Sequence, residues 1–328
     1  MGNPTTRDRF FCAKIIQKTK GRVIERFISF CKEHKRADIA EQIEYFALFE
    51  GFWLDFDAGS DVSALEAVER FILPNAQILS SGFTFSHHQQ EFTDMLIALA
   101  NGDRKIYSVY DKCTISRFLG QSLYKELFAS GIIKKELSRE EPLKRVRKER
   151  LKKGLGNYKI EDKVLFCDSF TRFWYTFIAP NFALIKSGEE GKLLEIIKSG
   201  FEKFVSLTFE MLCEKLLAIK LGRQIISSGS YWSKNSEIDI LAIDEECRYI
   251  AAEVKWKNHA VCKNILTHLQ KKCAKERLGV ETFALFSKSG FSKELLKMQS
   301  EKLLLFDLKD FEEFIRRSLH SPTFPAYL

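Results

Sequence analysis

The sequence predicts an α/β fold, α+β overall, in which a largely helical first part precedes a C-terminal αβββαβ mixed sheet. Three observations predict it. Val23, Phe27 and Ile28, then Ile39, Ile43, Phe46 and Ala47, recur at helical spacing. From Gln224 onward, short apolar runs alternate with amphipathic stretches. One of those runs carries an Asp, and the next carries Glu-x-Lys. A chain of 328 residues has room for two or three domains, and the pattern divides it at 1–102, 103–162, 163–189 and 190–328.

Residues 1–102 read as a helical, acidic region, with helices expected over 22–30 and 38–48. Pro74-Asn75 and Ser80-Ser81-Gly82 interrupt it, and 91–100 has the pattern of another amphipathic helix. His87 and His88 are adjacent, so their side chains diverge on helix or strand and do not make a metal pair. Asn101-Gly102-Asp103 is a turn and marks a boundary.

Residues 103–162 read as a winged-helix-like domain. Two short helices, 114–119 and 122–129, are expected on either side of Gly120. Ser130-Gly131 ends the second, and Ile132-Ile133-Lys134-Lys135 enters a strand. The charged stretch through Arg150 is expected to form the wing, with 156–160 as the returning strand. Domains of this kind bind DNA with a helix in the major groove and a basic wing on the backbone, and they also serve as protein-interaction modules. Lys144, Arg145, Arg147 and Lys148 are then candidate nucleic-acid contacts, while the reading helix offers only Gln121, Ser122, Lys125 and Glu126.

Residues 163–189 form an aromatic linker helix: Phe170, Phe173, Trp174 and Phe177 make one broad apolar face. Basic side chains barely interleave with these rings, so packing between domains is expected rather than base stacking. Residues 190–328 begin with a helix over 192–220, with a bend allowed at Gly200. Strands follow at 224–231, 237–243 and 248–256, the last two joined by a turn at 244–247. A helix at 264–275, a strand at 281–287, a helix from Ser292, a strand at 303–306 and a helix at 308–318 complete the order.

The chemistry lies in Glu237-Ile238-Asp239-Ile240 and Ala252-Glu253-Val254-Lys255-Trp256. Strand residues i and i+2 share a face, so Glu253 and Lys255 lie together, and Asp239 joins them if the two strands pair as a hairpin. Burying such charges costs several kcal/mol unless they pair or bind a cation. With an acid on the preceding helix, this order resembles the PD-(D/E)XK nuclease superfamily and its restriction-endonuclease-like fold. The helix acid is then Glu210, with Glu214 one turn later as the alternative; the usual Pro before the Asp is replaced by Glu237-Ile238. Further matching segments are Arg172 through Asn181, Phe209-Glu210, Trp256-Lys257 and Phe286-Ser287-Lys288-Ser289-Gly290-Phe291. Through them the chain is similar, over about residues 105–318, to the uncharacterised nuclease-like C-terminal domain of archaeal-type ATPases. In that family a P-loop ATPase and a winged helix usually precede the segment. This sequence has no Gly-x-x-x-x-Gly-Lys-Ser/Thr; the stretch from Gly188 to Leu193 has the wrong spacing and no hydroxyl, so ATP is not expected as a ligand.

The resemblance implies Mg²⁺ or Mn²⁺ held by Asp239, Glu253 and the Val254 carbonyl, with Glu210 completing the shell, directly or through water. It implies that Lys255 orients water or stabilises charge on phosphate, and that Lys257, Gln270 and Lys271 contact nucleic acid. The implied function is a divalent-metal-dependent DNA endonuclease assisted by the winged helix. The alternative is a catalytically inactive nuclease-fold module for DNA binding, regulation or protein interaction. DNA is the expected partner, and a homodimer is allowed because cutting both strands needs two sites, although no feature fixes an interface.

Charge agrees with a phosphate-backbone partner. The net charge of +8 combines an acidic stretch, eleven acids and one base over 37–95, with two basic ones. Residues 134–153 hold ten bases and four acids, and 255–302 hold eleven and four. No run approaches eighteen apolar residues and Met1 to Phe11 has no signal-peptide core, so no membrane partner and a cytoplasmic location are expected. The eight cysteines are scattered without Cys-x-x-Cys, which predicts free thiols and no zinc site.

Overall fold

The computed structural model describes residues 22–36, 38–52, 61–140 and 160–320. The chain divides into two compact units: Met1–Lys135 with Val164–Thr208, and Glu136–Lys163 with Phe209–Leu328.

The first unit is mainly helical. Helices Val23–Glu33, Ile39–Phe49 and Gln89–Asn101 lie within a few residues of their expected spans. Asp38 starts the second: its carboxylate accepts the Glu41 N–H at 2.8 Å, satisfying an end donor that the helix itself cannot. Ile24, Phe27, Ile43 and Phe46 are buried, and the Phe27 ring meets Phe46 edge-on at 5.1 Å.

The winged-helix expectation needs one correction. Gly120 does not separate two helices: one helix, Arg117–Ala129, runs through it, capped by Ser116 and preceded by Ile106–Cys113. The glycine is there for proximity, since a Cβ on it would lie 2.2 Å from Tyr110 Cε1. Strand β1 (Ile133–Glu136) pairs with β2 (Lys163–Phe166), whose Val164 and Phe166 are buried; the returning strand expected at 156–160 lies, but for Ile160, outside the described residues. The expected wing, with Lys144, Arg145, Arg147 and Lys148, lies outside the described residues. The aromatic segment follows β2 as helix Ser169–Phe173, a wider turn Trp174–Ile178 and helix Phe182–Lys186. Its rings pack inside their own unit: Phe83 stacks on Trp174 at 4.3 Å, and Phe177 meets Phe204 at 5.5 Å.

The unit boundary falls within the long helix Glu190–Lys220, after Thr208. This helix continues through Gly200, where a Cβ would come within 2.8 Å of Phe177. The second unit is built on a five-stranded sheet in the order β3 (Ile225–Trp232), β4 (Glu237–Asp244), β5 (Tyr249–Lys255), β6 (Val280–Ser287) and β7 (Leu303–Phe306). The pairings β3–β4 and β4–β5 are antiparallel, while β5–β6 and β6–β7 are parallel. Parallel neighbours need crossovers, which helices Lys263–Lys275 and Lys293–Met298 supply. Ile250 through Val254 of β5 are all buried, as in a strand covered on both faces. Leu266, Leu269 and Cys273 of the crossover helix join a core cluster with Ile238, Leu241, Ala251 and Leu285. Phe209 lies 4.8 Å from the Trp256 ring and 5.3 Å from that of Phe311, on the last helix, Leu308–His320.

Candidate active site

The site is placed by the β4–β5 hairpin, and the hairpin is tied by Asp244. This fully buried carboxylate accepts the N–H groups of Glu246 at 3.0 Å and Arg248 at 2.9 Å. It also takes the guanidinium groups of Arg248 at 2.9 Å and Arg223 at 3.1 Å. Burial pushes the Asp244 carboxyl up, but these donors, led by the Arg248 N–H, outweigh it and hold the group at about 2. The turn fixes a register in which Ile240 faces Ala252, and Asp239 and Glu253 are the next residues on the two strands.

Asp239 Oδ2 accepts the Val254 N–H at 2.8 Å, so the carboxylate is held by the strand that carries its partners. Lys255 Nζ lies 2.8 Å from Glu253 Oε1, 3.8 Å from Asp239 Oδ2 and 3.0 Å from the Val254 carbonyl oxygen. Glu253 retains 8% of its surface. The structure thus brings Asp239, Glu253 and Lys255 together at one end of the hairpin. Burial, then the neighbouring Glu253 charge, push the Asp239 carboxyl up to about 6. Burial alone would lower Lys255, but the Asp239 and Glu253 charges outweigh it, with a contribution from Glu210, and its pKa is raised. Lys255 is therefore an ammonium at neutral pH and is suited to stabilising anions rather than to removing protons.

A fourth group was not singled out in the sequence. Lys272 Nζ, from helix Lys263–Lys275, donates to Glu253 Oε2 at 2.9 Å and Oε1 at 3.2 Å. The neighbouring candidates Gln270 and Lys271 are exposed. Leu269 and Cys273 point into the core, and Lys272 lies on the flank of that buried stripe. Lys257 is exposed just beyond β5, where its carbonyl accepts the Ser289 hydroxyl at 2.8 Å.

The two helix acids separate. Glu214 accepts the Ser228 hydroxyl at 2.5 Å and Lys215 at 2.8 Å, which commits it to β3. Glu210 is half-buried, and its charge acts on both Lys255 and the buried Cys213. Even so, among the described residues no three His, Cys, Asp or Glu side chains gather closely enough to hold a metal ion. Of the expected carboxylates, Asp239 and Glu253 flank Lys255, while Glu210 acts on it through its charge.

Asp239 and Glu253 are oxygen donors, the ligand type that a hard divalent cation takes. Burial first, and then the Glu253 charge, raise the Asp239 carboxyl, and a nearby cation would offset both. Mg²⁺ keeps several waters and needs only one or two protein carboxylates. The described cysteines, including buried Cys31, Cys213 and Cys273, are free thiols.

A family described as archaea bacterial proteins of unknown function has a model that matches residues 174–272. That stretch contains Glu210, Asp239, Glu253 and Lys255 and ends at Lys272. An uncharacterized protein of Methanocaldococcus jannaschii is 27% identical over 171 residues, covering 50% of this chain and 36% of the relative. The chain thus spans about a third of the length of the curated relative it matches. No solved structure matches. Among the described residues, no helix is long and apolar enough to cross a membrane.

Proposed function

We propose that this chain is a divalent-metal-dependent DNA endonuclease of the PD-(D/E)XK type, with Asp239, Glu253 and Lys255 as its catalytic residues. The observation that carries the reading is their convergence. A half-buried Asp and a buried Glu that press on each other share one ammonium at the end of a hairpin. The helix–three strands–helix–strand order of the second unit and the basic balance of 255–302 add to it. Asp239 and Glu253 would hold Mg²⁺ or Mn²⁺, which when bound polarises phosphate and acidifies water. Lys255, held protonated, would face the phosphate oxygens and stabilise negative charge that develops there. Glu210 would add negative potential that keeps Lys255 charged. The Val254 N–H fixes the Asp239 carboxylate, so little reorganisation is needed at the moment of reaction.

A plasmid-nicking and linear-duplex assay with Mg²⁺ or Mn²⁺ tests the reading. Cleavage is expected for the wild type, with a loss of about 10²-fold or more in Asp239→Asn and Lys255→Met. No cleavage by any variant with either metal would overturn it.

One observation favours a second reading, a catalytically inactive nuclease-fold module. Glu253 already has two ammonium partners, Lys255 and Lys272, so the cluster is neutralised without metal. DNA binding that is salt-sensitive, metal-independent and unchanged in Asp239→Asn would support this second reading.

A further inference from the structure

Glu253 carries one negative charge and receives two ammonium groups. Lys255, two residues away on the same strand, reaches only Oε1 at 2.8 Å and also faces Asp239. Lys272 comes from a different element and spans both Glu253 oxygens, at 2.9 and 3.2 Å. A cation held by Asp239 and Glu253 would need a Glu253 oxygen that Lys272 now holds. A divalent charge at that oxygen would repel the Lys272 ammonium strongly at this distance. Lys272 is also the member free to leave: its side chain is 33% exposed, against 24% for Lys255, and only Glu253 holds it among the contacts described above.

On that basis we propose that Lys272 is the resident counter-ion of the site. It occupies Glu253 while no metal is bound, and a divalent cation displaces it into solvent. Metal uptake is thus an exchange of one cation for another. The ammonium so released stands beside the site, within reach of an arriving phosphate. The inference rests on the metal-dependent reading above, and the experiment separates the two.

The probe is Mn²⁺ alone, titrated calorimetrically and by electron paramagnetic resonance into the full chain without DNA. Wild type, Lys272→Met, Lys272→Gln, Asp239→Asn and Lys263→Met are compared. Lys263 lies on the same helix but pairs with Glu294 at 2.8 Å, so it controls for general loss of positive charge. Lys272→Met and Lys272→Gln are expected to bind Mn²⁺ about tenfold more tightly than wild type. Lys263→Met should stay within about twofold, and Asp239→Asn should lose binding. Amine acylation read by mass spectrometry provides a second measurement: Mn²⁺ should raise labelling at Lys272 and leave Lys263 unchanged. If Asp239→Asn abolishes Mn²⁺ binding but both Lys272 variants bind no more tightly than wild type, the exchange is overturned and the metal site stands. If no protein in the series binds Mn²⁺ at millimolar concentration, the metal-dependent reading itself fails.

Discussion

Replacing Asp239 with Asn should stabilise the metal-free fold while abolishing metal-dependent cleavage. An aspartate whose ordinary pKa is 3.8 is pushed up to about 6 in this site, first by burial and then by Glu253. At 1.36 kcal/mol per tenfold, this corresponds to a ceiling of roughly 3 kcal/mol of folding free energy. Part of the shift comes from the neighbouring Glu253 charge, so about 1–3 kcal/mol is expected. The folded-state value lies above the unfolded one. The penalty is therefore absent below about pH 4, grows between about 4 and 6, and is fully present above that. An asparagine carries no charge, and its side-chain oxygen can still accept the Val254 N–H. The 3.8 Å pair with Lys255 that it forgoes is long and contributes under about 1 kcal/mol. Urea denaturation in the presence of EDTA, followed by tryptophan fluorescence, measures the difference; Trp232 and Trp256 both report on the second unit. The Asp239→Asn variant should exceed wild type at about pH 7.5 and match it at about pH 4. Added Mn²⁺ should raise only the wild type, by preferential binding to the folded state. A variant less stable than wild type at about pH 7.5, or a gap independent of pH, would refute the picture of a strained carboxylate.

Glu210→Gln should reduce cleavage about tenfold or more with little change in stability. Glu214→Gln should instead cost about 1 kcal/mol in urea denaturation, because it weakens the bonds to Ser228 and Lys215. Asp244→Ala leaves the Glu246 and Arg248 N–H groups without their acceptor, so a loss of about 2–4 kcal/mol is expected in the same assay. The wild-type contribution of Asp244 is present above its ordinary 3.8 and should fade as pH falls towards 2, since its folded value is depressed.

The second unit is legible because its signals are local. Apolar runs bounded by turn residues place β4, β5, β6 and β7 within a residue or two of where they stand. Ser292 announces helix Lys293–Met298 by accepting the Leu295 N–H. The first unit misleads at Gly120 for a physical reason: a glycine reads as a break, and only the Tyr110 ring across from it shows that closeness is what it serves. Strand β2 is missed because strand pairing is non-local; the Lys163–Phe166 run looks like the start of the aromatic stretch rather than a strand.

The same contrast explains the candidate site. Asp239, Glu253 and Lys255 can be read together because a two-residue strand period and a hairpin constrain them without knowledge of the rest of the fold. Choosing Glu210 over Glu214 needs the helix's rotation, which appears only when Ser228 of β3 is seen to take Glu214. Lys272 needs more still. In a helix with Lys271, Lys272 and Lys275 close together, a rotation of about 100° per residue decides which ammonium meets Glu253. That phase is set by Leu266, Leu269 and Cys273 burying themselves on the sheet. A residue that packing alone brings to the carboxylates, from an element with no motif of its own, can also leave them without disturbing the strands. This is why the exchange is assigned to Lys272 and the charge stabilisation to Lys255.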